Sequence, residues 1–243
     1  MADHEKILEI IRLKDQAPIA LETERTALLV VDVQRYFVSP YYPFGQVMEK
    51  LVPGATTEYF ERVNRTVVPS INRLQELFRA KALPIIYTAT GTQMNGDDLP
   101  QWLRDFDALG LALLGKRIWP DVNDPSWQID DSVAPRSGEL VLPKTSSGPL
   151  NSTKLDQTLH NLGIKSLVVT GLTTDVCVTQ AARETADRGF QVIIAEDGCT
   201  TLSEQMHRSA LEAFSLAFGR VRRADEIVGL MSQAEDQNSV ATC

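Results

Sequence analysis

The sequence predicts a single α/β domain with a mostly parallel sheet, on three observations. Short apolar runs, such as ALLVV at residues 27–31 and SLVVT at 166–170, suit strands buried on both faces, the kind of which parallel sheets are made. Segments of helical period alternate with these runs, the order expected of βα units. No internal repeat, low-complexity tract or Gly/Ser/Pro-rich linker divides the alternation. The composition agrees, since 43% hydrophobic and 23% charged residues is ordinary for a folded protein. A chain of 243 residues buries roughly three quarters of its extended surface and needs no disulfide or metal staples.

Along the chain, residues 4–14 space Ile7, Leu8, Ile11 and Leu13 like one face of a helix. The run 27–31 is the first strand and ends in Asp32. Residues 34–57 are rich in aromatic and turn-forming types and read as a long loop, which inside a compact domain is usually functional or mobile. Residues 58–81 have a helical period, with Pro69 expected to kink or divide the helix. PIIY at 84–87 is a second strand entering a loop at 88–98. Residues 99–136 are the least legible: 102–114 read as a helix, while Trp119, Pro120, Pro125 and Trp127 read as irregular chain.

Beyond that point the alternation is clean. A strand at 139–142, closed by Pro143 and Lys144, precedes a helix at 152–162 stopped by Gly163. A strand at 166–170 precedes a helix at 175–188 stopped by Gly189, and another strand follows at 192–195. A helix at 204–217, a short strand at 220–222 and a last helix at 224–231 complete the domain. The expected organisation is a helical extension over 1–25, one domain over 26–231, and a polar tail over 232–243 that frays.

Charge and cysteine content narrow the function. With 24 basic and 32 acidic residues and a net charge of −8, the chain lacks the basic balance by which nucleic-acid binders displace counterions. Three cysteines, an odd number, make no disulfide framework and fit a reducing compartment. The charged opening stretch MADHEKILEIIRLKDQ has no apolar core of a secretory signal, and no apolar run approaches the ~20 residues of a membrane span. The expectation is a cytoplasmic enzyme acting on a small molecule, with neither nucleic acid nor membrane as partner.

Ligands of open α/β sheets bind beyond the carboxyl ends of the strands. The candidates are therefore Asp32, the loop 88–98, Lys144, the turn 171–177 and residues 196–201. Thr174 or Asp175 suits a helix N-cap, which puts Cys177 in a first helical turn. The helix dipole and free N–H groups there favour thiolate. Singly, each candidate has a plainer reading. A buried cysteine packs as a small hydrophobe, a carboxylate after a strand anchors a loop, and most lysines are solvated. Together they make chemical sense: Asp32 can take the thiol proton, while Lys144 keeps Asp32 ionised and steadies the thiolate.

Three segments, VVDVQ at 30–34, PKTSSG at 143–148 and VTGLTTDVCV at 169–178, followed by AARETADRGFQVIIAEDGC at 181–199, resemble the signatures of the isochorismatase-like cysteine hydrolases. The resemblance spans about residues 26–231. It implies a three-layer α/β/α fold with a six-stranded, mostly parallel sheet. It implies Asp32 as general base, Lys144 as its electrostatic partner and Cys177 as nucleophile. It further implies a cis peptide without proline at Leu172–Thr173, turning the Thr173 N–H toward the Cys177 N–H as an oxyanion hole. Members commonly assemble, so a homodimer or homotetramer is expected. The expected reaction is hydrolysis of a C–N bond in a small amide or carbamoyl (ureido) compound through a cysteine thioester. The alternatives are vinyl-ether hydrolysis of the isochorismatase type, which needs no thiol nucleophile, and a non-catalytic binder on the same fold.

Nicotinamidase-type members carry an Asp-x-His metal site after the second strand. Here TATGTQMNGDD at 88–98 has no histidine, and His4, His160 and His207 lack ligand spacing. No metal is expected, and no nucleotide cofactor either, since no Gly-x-Gly-x-x-Gly or P-loop follows a strand. Cys199 has no evident paired base and reads as packing. For the substrate, Phe37, Trp119 and Tyr36 offer apolar walls, Gln34 an amide, and Arg35 or Arg117 a carboxylate partner. For each of these a surface or packing role is the commoner one.

Overall fold

A computed structural model describes residues 2–17, 19 and 21–240. Six runs form strands: β1 (Thr26–Val31), β2 (Ile85–Thr90), β3 (Leu140–Lys144), β4 (Ser166–Leu172), β5 (Gln191–Thr200) and β6 (Arg220–Arg222). They pair in the order β3-β2-β1-β4-β5-β6, every neighbour parallel. Every residue of β1, β2 and β4 is buried, as strands covered on both faces must be. Pro143 is tolerated because β3 is an edge strand, where a missing N–H need cost no ladder bond.

Helices cover both faces. They are α1 (Ala2–Asp15), α2 (Arg35–Val38), α3 (Pro43–Leu51), α4 (Thr57–Arg62), α5 (Val68–Ala80), α6 (Gln101–Leu114), α7 (Pro149–Ser152), α8 (Leu155–Asn161), α9 (Thr179–Asp187), α10 (Glu204–Ala217) and α11 (Ala224–Val240). Alternation along β1 feeds two cores. Leu28 and Val30 join Phe44, Ile71, Phe78 and Ile227 on one face. Ala27, Leu29 and Val31 join Leu155, Leu159, Ala181 and Phe214 on the other. Among the described residues no helix is long and apolar enough to cross a membrane.

Four departures from the sequence pattern have physical causes. Residues 34–57, expected as a loop, hold α2, barely one turn long, and α3, whose Pro43 and Gly45 read as turn-formers although Pro43 stands in the first helical turn. They are stabilised by packing, with Phe44 edge-on to Phe37 at 5.0 Å and to Tyr59 at 6.0 Å. Residues 58–81 form α4 and α5 joined by a π turn at Val63–Val67, where the Val68 N–H reaches back to Val63 O. Pro69, lacking an N–H, makes that widened ladder the accommodating geometry. β5 continues through Glu196–Thr200, whose polar types hide a strand, and pairs Cys199 and Thr200 with Gly171 and Leu172 after a register shift. Finally, α11 runs on to Val240, where a frayed tail is expected from residue 232; residues 241–243, including Cys243, lie outside the described residues.

Candidate active site

The carboxyl ends of the central strands meet around one ion pair. At the end of β1 the chain turns through Asp32 with φ 52°, its N–H donating to Thr88 O at 3.0 Å. Left-handed backbone is uncommon for a residue with a side chain, though Asp tolerates it better than most. Beside it, Gly171 has φ 117°, and a Cβ there would collide with the Val31 carbonyl. Only glycine lets β4 close on β1 at this point. β2, extending to Thr90, contributes two hydroxyls: Thr88 Oγ1 donates to Asp32 Oδ1 and Thr90 Oγ1 to Asp32 Oδ2, each at 2.8 Å.

β3 delivers Lys144. Its Nζ lies 2.8 Å from Asp32 Oδ2, with both side chains fully buried. It also donates to Ser146 O at 2.8 Å, to Ser147 O at 3.2 Å and to Cys177 Sγ at 3.4 Å. Burial lowers the ammonium's pKa, but the Asp32 carboxylate and then Cys177 outweigh it, and the net shift is upward. The loop after β3 is pinned from behind. A Cβ at Gly148 would collide with the Glu184 carboxylate, which accepts from the Leu150 N–H at 3.1 Å and from Asn151 Nδ2 at 2.5 Å.

β4 leads through a cis Leu172–Thr173 peptide into a π turn, Thr174–Val178, that carries Cys177. The Val178 N–H reaches Thr173 O at 3.1 Å. On α10, His207 holds this turn: Arg62 Nη2 lies 3.0 Å from His207 Nε2, and Thr174 Oγ1 lies 2.8 Å from Nδ1. Arginine cannot accept, so Nε2 accepts and the neutral Nδ1–H donates to Thr174. Burial, then the Arg62 charge, pushes the His207 pKa down to about 4.

Burial opposes the thiolate that the place of Cys177 near a helix start favours. Burial pushes the thiol up to about 12; Lys144 pulls it down and Asp32 pushes it up again. Desolvation of the charged form outweighs a turn of helix dipole. The sulfur stands beside the buried Asp32–Lys144 ion pair.

Cys177 opens into a cavity of about 180 Å³, lined near the sulfur by Thr173, Ser146 and Ser147. A larger depression beside α10, about 520 Å³, is walled by paired charges such as Arg62–Glu204 and Arg223–Asp197 and does not include Cys177.

Comparison with known proteins follows this geometry. The model of the isochorismatase domain matches residues 26–226. The chain belongs to the isochorismatase family. It is 28% identical over 221 residues to ureidoacrylate amidohydrolase from Methylobacterium radiotolerans, covering 84% of this chain and 78% of that one. It is 27% identical over 211 residues to N-carbamoylsarcosine amidase from an Arthrobacter species, covering 84% and 70%. Among solved structures, a cysteine hydrolase from Pseudomonas syringae pv. phaseolicola superposes with a TM-score of 0.73 at 21% identity, over 89% of this chain and 97% of that one.

Within this isochorismatase-family fold, the residues singled out from sequence divide. Asp32, Lys144 and Cys177 are brought together, and Phe37, Trp119 and Thr173 line the cavity with Cys177. Gln34 is not brought there. Its amide is spent on structure, donating to Thr90 O at 3.0 Å and Trp127 O at 2.5 Å and accepting from the Thr90 N–H at 2.8 Å. It therefore ties β1 to β2 rather than offering an amide to a substrate. Tyr36 is fully buried behind Trp119, ring centroids 6.1 Å apart. Arg35 pairs with Asp131 at 2.9 Å and Arg117 with Asp107 at 2.8 Å, both away from the cavity. Cys199 is buried, its thiol pushed up to about 12 by burial. Among the described residues no three His, Cys, Asp or Glu side chains are grouped to hold a metal.

Sequence inspection missed Trp102, Phe106, Phe44 and Met206, and took Asp175, within the candidate turn 171–177, only as a helix cap; all five line the cavity. The i, i+4 spacing of Trp102 and Phe106 was a usable signal for one helix face, but nothing local says which face looks into the site.

Proposed function

We propose that this chain hydrolyses a C–N bond of a small amide or carbamoyl (ureido) compound through a thioester on Cys177. The observation that carries the reading is Lys144 Nζ, within 2.8 Å of Asp32 Oδ2 and 3.4 Å of Cys177 Sγ, directly behind a cavity that Cys177 lines. The amidohydrolase and amidase names of the two relatives support it.

In this mechanism Cys177 Sγ bonds to the substrate carbonyl carbon while its proton passes to Asp32, which acts as general base. The Thr173 and Cys177 N–H groups hold the negative oxygen that develops. Asp32 then returns the proton to the leaving nitrogen, the C–N bond breaks, and ammonia or an amine departs. Water adds to the thioester carbonyl and gives its proton to Asp32, and the C–S bond breaks. The departing sulfur takes that proton back, restoring the thiol and releasing the acid. Lys144 stays protonated throughout, offsetting the charge that alternates between Asp32 and the sulfur.

The test is acid quenching during turnover on a panel of amides and ureido compounds, followed by peptide mass spectrometry. The expected adduct is one acyl group on the peptide containing Cys177. A Cys177→Ala enzyme that keeps near-full activity would overturn the thioester route and turn attention to thiol-independent vinyl-ether chemistry.

A further inference from the structure

Resting on the reading of Cys177 as an amide-cleaving nucleophile, we infer that the substrate carries an uncharged, ring-sized apolar group beside its scissile carbonyl, and that compounds bearing a carboxylate there are excluded. The shape of the cavity is the first ground. Five aromatic side chains line it together with Cys177: Phe37, Phe44, Trp102, Phe106 and Trp119. Trp119 is held rigid by its indole N–H on Leu103 O at 2.8 Å, and stands edge-on to Phe37 at 5.9 Å and to Phe106 at 6.3 Å. Such walls favour a flat apolar group by burial and by edge-to-face contact. An apolar cavity of about 150 Å³ accommodates benzene. At about 180 Å³ this one has space for a single ring with a short amide.

The second ground is charge. Among the described residues, the one ionisable side chain lining the cavity apart from Cys177 is Asp175, and no cationic side chain lines it. Arg35 and Arg117 are committed to Asp131 and Asp107. Lys144 sits behind the sulfur, 1% exposed and paired with Asp32. A carboxylate placed here would lose water without gaining a partner, which is strongly unfavourable. It would also face Asp175, whose Oδ1 is buried with no hydrogen-bond partner among the described residues. The contrast with the relatives is chemical: ureidoacrylate and N-carbamoylsarcosine, in the names of two of them, are both carboxylic acids. Among the described residues lining this cavity there is no cation to meet such a group.

The experiment compares phenylacetamide with succinamate, one bearing a ring and the other a carboxylate. Ammonia release is measured with the full chain, and binding by calorimetry with Cys177→Ala. The expected result is a kcat/KM for phenylacetamide at least about a hundredfold above that for succinamate, with only phenylacetamide binding detectably. Asp175→Asn should narrow the ratio at least about fivefold, because it removes the repelling charge and keeps the shape. If phenylacetamide binds but is not cleaved, the amidase reading fails while the assignment of ligand class stands. If succinamate is bound or turned over as well as phenylacetamide, the inference is overturned and the amidase reading survives. Binding of neither compound, or an unchanged ratio in Asp175→Asn, also overturns it.

Discussion

The reactive side of the site, of which Cys177 alone lines the cavity, and its aromatic side are built by different physics. On one side Asp32, Lys144 and Cys177 stand on or just beyond the ends of three parallel strands, fixed by ladder register and by hydrogen bonds of 2.8 to 3.4 Å. On the other, aromatic rings arrive from α2, α3, α6 and the irregular chain around Trp119, held mainly by packing. Hydrogen bonds and charges are directional and fail when a partner is lost, whereas apolar burial is non-directional and scales with area. Reactivity should therefore reside in the first wall and selectivity in the second. Mutations on the two sides should separate into losses of kcat and changes of KM.

The sharpest separation comes from Cys177→Ala. Turnover should fall by on the order of 10⁵-fold, while the thermal midpoint stays close to that of the parent because a small cavity-lining group is removed. Activity and calorimetry on the same preparation check both halves.

Next in size, Asp32→Asn and Lys144→Met should each lower kcat by about 10³- to 10⁴-fold, with the double variant no slower than the worse single one, since residues acting as a unit are not additive. Stability distinguishes them further. Lys144→Met leaves a buried carboxylate uncompensated and should cost about 3–5 kcal/mol. Adding Asp32→Asn should recover much of that loss in denaturant titrations. Multiplying rate losses would show that the two residues work independently.

A smaller effect is expected at the back of the reactive wall. The His207 pKa, depressed to about 4 when folded, lies below the roughly 6.5 of an unfolded histidine. Between these values the unfolded chain binds the extra proton, so stability rises with pH there. It is full above about 6.5 and lost as pH falls toward 4, by at most about 1.4 kcal/mol per pH unit. His207→Gln should flatten that dependence in urea titrations from pH 4 to 7. An unchanged slope would mean that other groups carry it.

The smallest effect belongs to the aromatic wall. Trp102 is 38% exposed at the cavity, and Trp102→Ala should raise KM for a ring-bearing amide about tenfold with kcat kept, the mark of lost uniform binding. A matching fall in kcat would place Trp102 among the groups that orient the reacting atoms.

The reactive wall was legible in the sequence to a degree that the aromatic wall was not. Asp32, Lys144 and Cys177 each stand close to the end of an apolar run, and strand ends are where α/β sheets present ligand-facing groups. That rule needs only local pattern and chain order. It served less well where strands carried polar residues, as in the Glu196–Thr200 stretch of β5, and where a helix was barely one turn long, as α2, or opened with proline and glycine, as α3.

What pattern and chain order could determine were the layers, the strand ends and the residue types available for chemistry, because burial on one or both faces leaves a periodic trace in neighbouring residues. Partners distant along the chain decided the remainder. Thr88 and Thr90 meet Asp32 across 56 and 58 positions, Glu184 pins the loop carrying Ser146 from 34 positions beyond Leu150, and Gln34 is claimed by Thr90 and Trp127. Nor did position near a helix start settle the titration of Cys177, since burial pushes the thiol's pKa up. Desolvation, cavity shape and the pairing of buried charges depend on which surfaces are excluded from water together, and only the packed fold defines that.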